Sequence, residues 1–219
     1  MNQLEKMEQL NQQQRELFQI TVTTLTSSIT IRDAYTGEHS VRVAQFALLI
    51  GKQMRLSDEE LEVIAYAAPM HDIGKIGIPD EILRKPGPLT PDEFTVMKTH
   101  TTQGAKIVGM VPALSQAVPI VRSHHEHWDG KGYPDSLAGE EIPLLARVVA
   151  LADCFEAMVF GTPCHKALPV KQAFAEIEKQ QGRQFDPKIV KALLQCRDKV
   201  VDLIISLNAR REIRGNSQS

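Results

Sequence analysis

The chain has 219 residues, 42% of them hydrophobic and 24% charged, enough for one large globular domain or two small ones, and its formal net charge of -2 gives no general attraction to DNA, RNA or an anionic membrane. No run approaches the roughly 18 apolar residues of a membrane span, and the polar start Met1-Asn2-Gln3-Leu4-Glu5-Lys6 lacks the apolar stretch of a signal peptide, so a cytoplasmic protein is expected. Three cysteines, Cys154, Cys164 and Cys196, form neither a CxxC pair nor an even set, which argues against disulfides and a thiolate zinc site.

Met1 to about Ile31 holds neither Gly nor Pro, and Leu4, Met7, Phe18, Leu25 and Ile29 follow a 3-4 spacing interrupted by Asn11 and Gln14. That pattern predicts one long helix over 1–31, either a parallel coiled coil or a helix lying along the domain. The pattern breaks at Gly37. A second helix is predicted from His39 to Met54, with Val41, Ala44, Leu48 and Gly51 on one side. Ser57 and Glu60 make a capping box for a third helix that runs into His71-Asp72. A short helix opens at Ile78-Pro79-Asp80. After the turn-rich connector Lys85 to Thr90, Thr90 caps a helix with Pro91 at its first position and one face formed by Phe94, Met97, His100, Gly104 and Ile107. Ala113 to Ser123 leads into His124-His125 and a Gly/Pro-rich run, Glu126 to Asp135, that is neither helix nor strand. Leu144 to Ala152 predicts a central buried helix carrying Asp153 and ending at Gly161. Pro169 to Gln181 and Asp186 to Leu207 give two more helices, and the polar tail 208–219 is expected to be disordered. With no internal repeat and no alternating strand, the fold class is all-α.

His71-Asp72-Ile73-Gly74-Lys75 stands at the end of an apolar helix, so an imidazole, a carboxylate and an ammonium emerge from core. Such groups need partners, and a divalent metal supplies one; a hydrogen-bonded His-Asp pair is the plainer alternative. Lys75 lies four residues from His71 and three from Asp72, within reach of the same site on a helix. Five of the seven histidines, His39, His71, His100, His124 and His125, fall at helix ends or on core stripes, whereas His127 and His165 sit in connectors. With Asp72 and Asp153 they make seven nitrogen and oxygen ligands. One ion takes three or four protein ligands, so seven suggest two ions with positions left for water and substrate.

From about Asp33 to Ala192 these fragments, in order, resemble the HD-GYP family of bacterial cyclic dinucleotide phosphodiesterases, a branch of the HD phosphohydrolases. The resemblance is carried by His39-Ser40-Val41-Arg42-Val43, His71 to Lys75, Lys98-Thr99-His100, His124-His125-Glu126, Asp129-Gly130-Lys131-Gly132-Tyr133-Pro134 and Ala152-Asp153. It implies an HD-type helical bundle over 32–207, two divalent ions (iron or manganese) and hydrolysis of cyclic di-GMP or a close relative to the linear dinucleotide, with GMP as a further product. By the same resemblance Asp72 bridges the ions, His39, His71 and Asp153 face one, and His100, His124 and His125 face the other. Lys75 faces the scissile phosphate, where it stabilises charge or protonates the leaving group. Lys75, Gly132, Tyr133, Pro134 and Lys166 are the substrate-contact candidates. Implied partners are a second copy through the first helix, and an upstream sensor domain or a diguanylate cyclase. The chain departs from the family pattern at Tyr35, where members with a third metal carry Glu, and at Thr162-Pro163-Cys164-His165, where an Arg usually grips substrate phosphate. These departures leave open a weakly active signalling module that binds a cyclic dinucleotide or a protein. A mononucleotide phosphohydrolase fits less well, because of the His124-His125 pair and the Gly-Tyr-Pro loop.

Overall fold

In the computed structural model, which describes residues 3–32, 36–162 and 165–216, every regular element is a helix, and the extended pairings among those residues are isolated bridges such as Asp129 with Ala138. The core forms where two apolar helices meet, α2 (Thr36–Gln53) and α8 (Leu144–Phe160). Phe46 and Ile50 of α2 and Leu151, Ala152 and Phe155 of α8 are fully buried, and the Phe46 and Phe155 rings meet edge to face with centroids 5.5 Å apart. Each such large side chain contributes roughly 1.5–3 kcal/mol through burial. Helices α9 (Val170–Lys179) and α10 (Pro187–Gln195) close the far side with Phe174, Ile177, Ile189 and Leu193. This pairing places residues 39–42 of α2 opposite residues 153–156 of α8.

The helices that carry the remaining candidate ligands start where the sequence predicts. Both halves of the capping box form at α3 (Asp58–Ala67): Ser57 Oγ accepts from Glu60 N at 3.2 Å, and Glu60 Oε2 accepts from Ser57 N at 2.8 Å. After α4 (Asp80–Leu83), Thr90 and Glu93 repeat the box at α5 (Pro91–Lys98). The predicted stripe from Phe94 to Ile107 is nonetheless split between α5 and α6 (His100–Gly109), with Phe94 exposed. Threonine hydroxyls explain the break, because Thr99 Oγ1 donates to Val96 O at 2.7 Å and Thr101 Oγ1 to Lys98 O at 3.0 Å, competing with the helical ladder. The predicted helix from Ala113 is likewise a 3-10 segment, Pro112–Ala117, followed by α7 (Val118–Ser123), because Pro119 is favoured only in a first turn.

Other boundaries move. Helix α2 starts at Thr36, so Gly37 lies within it, His39 sits inside its first turn, and Val41 is exposed. The last predicted helix divides at Cys196 into α10 and α11 (Arg197–Asn216). Helix α11 continues past Leu207 through part of the tail expected to be disordered, since Ala209, Arg210, Arg211 and Glu212 favour helix and no Pro stops it. Helix α1 (Gln3–Arg32) is a single helix that turns Phe18, Val22 and Leu25 toward the domain, with the Phe18 and Tyr66 rings edge to face at 5.1 Å, while Met7, Leu17 and Ile20 stay exposed. The side chains of Leu4, Asn11, Gln14 and Ile29, part of the same sequence pattern, lie outside the described residues, as does Tyr35. No described helix is long and apolar enough to cross a membrane.

Candidate metal centre

Five separate elements deliver the candidate ligands to one place. His39 comes from α2, His71 and Asp72 from the turn after α3, His100 from the first residue of α6, His124 and His125 from the end of α7, and Asp153 from the middle of α8. The turn carrying His71 and Asp72 presses onto α6 at Gly74, where a Cβ would stand 1.8 Å from the His100 carbonyl oxygen and 2.5 Å from Gly104 N. Only a residue without a side chain allows that approach. Gly104, one turn after His100, leaves room that Gly74 and Val121 fill.

The donor atoms fall into two groups, each with its atoms within 4.8 Å of one another: His39, His71 and Asp153, and Asp72, His100, His124 and His125. Asp72 faces both. Its Oδ2 lies 3.3 Å from His71 Nε2, and its Oδ1 lies 3.4 Å from His100 Nε2 and 3.9 Å from His124 Nε2. Asp153 Oδ1 lies 3.1 Å from His39 Nε2 and 3.9 Å from His71 Nε2.

Hydrogen bonds on the outer side of three rings fix which nitrogen faces inward. Nδ1 of His71 donates to Ala68 O at 2.8 Å, Nδ1 of His100 to Met97 O at 2.7 Å, and Nδ1 of His124 to Val121 O at 2.9 Å. A carbonyl can only accept, so each Nδ1 carries a proton and each Nε2 presents a lone pair to the centre in the neutral ring. The His100 and His124 Nε2 atoms then stand 3.4 Å apart with no donor between them, an arrangement that a cation relieves.

Electrostatics separate the two groups. Burial pushes the His39 imidazole down, but its bonds to Asp153 and Glu156 prevail and raise it to about 10. For His71 burial is again outweighed, by the charge of Asp72, and the shift is upward. Burial would raise Asp153, yet His39 holds it down to about 2, and Lys75 and His71 overcome burial to hold Asp72 well below the usual carboxylate range. In the other group burial dominates and neighbouring imidazoles add to it. His124 and His125 lie well below an ordinary histidine, and His100 is lowered as well. The second group's imidazoles are neutral and the carboxylates of both groups ionised, and a proton on His39 or His71 would give way to a bound cation; convergent donors of this kind are the set that divalent transition metals take, so the residues fit the expected ions.

Two residues of this centre carried no role in the sequence. Glu156 is fully buried; one oxygen pairs with His39 Nδ1, and the other accepts from Arg42 Nε at 2.5 Å. The available signal was spacing: Arg42 follows His39 by three, and Glu156 follows Asp153 by three, one helical turn in each case.

The candidate substrate contacts divide. Lys75 lies at the centre, its Nζ 2.6 Å from Asp72 Oδ2, with the side chain about one quarter exposed. Tyr133 covers the second group, its ring stacked on His125 at 4.8 Å. Gly132 is packed instead against backbone, since a Cβ there would meet His127 N at 2.3 Å and His125 O at 2.5 Å; it brings Tyr133 into place. Pro134 follows Tyr133 through a cis peptide bond. Glu126 anchors this loop by accepting from Asp135 N at 2.7 Å. Lys166 is exposed in the connector after α8. Thr162 uses its hydroxyl locally, Oγ1 accepting from His165 N at 3.0 Å, and Pro163 and Cys164 lie outside the described residues. His165 is exposed and His127 half-buried, and neither joins a ligand group.

Comparison with known proteins bears on the family and the fold. A family model described as HD domain matches residues 23–189. The chain is 44% identical over 174 residues to a cyclic di-GMP phosphodiesterase of Thermotoga maritima, covering 78% of this chain and 47% of that protein. It is 42% identical over 196 residues to the cyclic di-GMP phosphodiesterase response regulator RpfG of Xanthomonas campestris, covering 89% and 51%. The chain therefore spans about half the length of these curated relatives. Among solved structures, a cyclic GMP-AMP specific phosphodiesterase of Vibrio cholerae matches with a TM-score of 0.62 over 81% of this chain and 48% of that one, at 23% identity, a likeness of fold.

Proposed function

Since the chain belongs to the HD domain family, in its HD-GYP branch, we propose that it is a metal-dependent phosphodiesterase that opens a cyclic dinucleotide, cyclic di-GMP foremost, to the linear dinucleotide. The observation that carries this reading is Asp72, whose two oxygens face two different histidine groups in one buried centre. His39, His71 and Asp153 would hold one divalent ion, His100, His124 and His125 the other, and Asp72 both, with iron or manganese the favoured identity. A pair of ions so held lowers the pKa of water and neutralises phosphate charge.

The chain's own residues do the rest. The outward Nδ1–H bonds of His71, His100 and His124 keep their inward lone pairs in place, so the centre is organised before substrate arrives. Lys75 offers a strongly hydrated ammonium at the edge of that centre, suited to stabilising negative charge on the phosphate as the bond to the ribose 3' oxygen breaks. Tyr133, stacked on His125, shields that group from solvent and offers a ring edge to the ligand. Cyclic di-GMP is favoured over mixed dinucleotides because the relatives at 44% and 42% identity are named for it.

The test is to purify the protein anaerobically, count its metal, and present cyclic di-GMP, cyclic GMP-AMP and cyclic di-AMP with products read by mass spectrometry. Two ions per chain and a linear dinucleotide are expected. Protein that holds two ions yet turns over none of the three is the signalling module instead, and the hydrolase reading fails.

Helix α1 supports a second part of the reading, a homodimer. Its domain-facing residues Phe18, Val22 and Leu25 are already used, and Leu17 and Ile20, three residues apart and off that stripe, stay exposed where a second α1 would pack. Leu17→Glu with Ile20→Glu should move sedimentation from dimer to monomer with hydrolysis intact; an unchanged sedimentation coefficient places the contact elsewhere.

A further inference from the structure

Three of the imidazoles in the centre are held from behind by backbone carbonyls, each three residues earlier in the chain. His39 is different. Its Nδ1 pairs with the carboxylate of Glu156, and that carboxylate is fully buried in the core between α2 and α8. A buried carboxylate without a cation is strongly disfavoured, and here the cation is Arg42, one turn after His39, whose Nε lies 2.5 Å from the second Glu156 oxygen. Arg42 is itself fixed from two more sides: Nη1 lies 3.1 Å from Glu38, and its guanidinium sits 4.5 Å from the centre of the Phe160 ring. The relay Arg42, Glu156, His39 therefore ends at a ligand, and no equivalent side chain stands behind His71, His100 or His124.

We infer that Glu156, clamped by Arg42, is a positioning residue that turns His39 Nε2 into the centre and makes one of its two ion positions depend on a buried ion pair. A carboxylate behind a ligating imidazole fixes its tautomer and raises its basicity, and its loss typically weakens metal binding by about 10- to 100-fold. The group of His100, His124 and His125 has no such dependence, so the loss falls on one position alone. This inference rests on the metal-dependent reading proposed above.

The experiment measures ion stoichiometry and affinity by chelator competition on metal-stripped, reloaded protein, without reference to turnover. Glu156→Gln keeps an acceptor of the same shape without the charge, and should weaken one ion about 10-fold or more while the other stays at its original affinity. Because Glu156→Gln leaves Arg42 without its counter-charge, a second variant, Arg42→Met with Glu156→Leu, replaces the buried pair by apolar side chains of similar size, a change that cores often tolerate. It should retain the fold and bind one ion tightly and one weakly. In zinc-loaded protein the His39 ring nitrogens, read by 15N NMR, should show the Nδ1–H tautomer in the wild type and a mixture in the double variant. Two ions held with unchanged affinity in both variants, or equal weakening of both positions, overturns the inference. A wild-type protein that binds no ions overturns the metal-dependent reading instead, so the two failures are distinct.

Discussion

The buried histidine centre and the surface that would meet the rest of the substrate are built to different standards. In the centre almost every donor atom has a support behind it: carbonyls hold three imidazoles, Glu156 holds His39, and Lys75 sits 2.6 Å from Asp72. At the rim Lys166 is exposed, Lys131 is four-fifths exposed, and the Thr162 hydroxyl is engaged with its own turn. On the function proposed above, the difference makes the chemical step and the affinity for the dinucleotide separable: the first would rest on over-determined geometry, the second on a few exposed cations whose individual surface contacts are worth little.

The hardest way to break the centre is to remove the group that its two halves share. Asp72→Ala should take metal content from two ions per chain toward none and lower hydrolysis by more than about a thousandfold, beyond the loss seen when a single transition-state donor is removed. It also removes the carboxylate 2.6 Å from Lys75 Nζ, so metal analysis on folded protein, verified by circular dichroism, is the deciding measurement. Retention of both ions would show that Asp72 does not join the two groups.

A smaller intrusion tests how tightly the centre is built. Gly74→Ala adds one carbon where the His100 carbonyl oxygen would be 1.8 Å away, and the obstacle is backbone rather than a movable side chain. The expected cost is about 3 kcal/mol, the upper part of the range for overpacking, or a fall in Tm of roughly 6–12 °C. A melting temperature within 2 °C of wild type would mean that the turn and α6 separate easily.

How much of this was legible depends on the kind of contact. All seven candidate ligands could be picked from the sequence because His39, His71, Asp72, His100, His124 and His125 fall at or near helix ends, and Asp153 is a carboxylate directly after the apolar run Val148 to Ala152. Glu156 could not, since in one dimension a Glu on a helix looks like a solvated residue, and only the packing of α2 on α8 brings it to His39 and Arg42. The break at Thr99 was hidden for a related reason: an apolar stripe records which side is buried, not whether hydroxyls interrupt the ladder beneath it. Gly132 was read as a ligand contact because it lies in a motif, and its role is close backbone packing that no residue pattern states.

The half of the centre that holds His39 and Asp153 has its own pH signature in metal-free protein. His39 is raised on folding, so its contribution is fully present below the unfolded value of about 6.5 and is lost as pH rises through about 10. Asp153 is depressed, so its contribution is fully present above the unfolded value of about 3.9 and is lost as pH falls through about 2. Between those unfolded values both are complete. The metal-free protein should therefore owe most stability to this pair between roughly pH 4 and 6.5, and Tm should fall by a few degrees toward pH 9. Asp153→Asn should flatten the acid limb and reduce the alkaline one. Limbs of unchanged steepness would locate the titrating groups outside the centre.

The smallest expected effect belongs to the rim, at Thr162, where α8 ends in Gly161 with φ 77° and the chain turns toward His165. A charged hydrogen bond to phosphate contributes roughly 1.5–3 kcal/mol, and one neutral hydroxyl already bonded to His165 N offers none of that. Thr162→Arg should lower KM for cyclic di-GMP by about tenfold, the low end of that range, because the added guanidinium must be ordered at an exposed turn. Since such a contact holds phosphate equally before and during bond breaking, kcat should change little. The substitution also removes the turn's hydroxyl acceptor, so Thr162→Val supplies the control: it loses the same bond to His165 N without adding charge. If Thr162→Val leaves KM alone and Thr162→Arg lowers it, the rim lacks a cation that the centre cannot replace. If Thr162→Arg raises KM or leaves it unchanged while Thr162→Val is silent, the phosphate is already held, with Lys166 the nearest cation in sequence, and the sparse appearance of the rim does not limit binding.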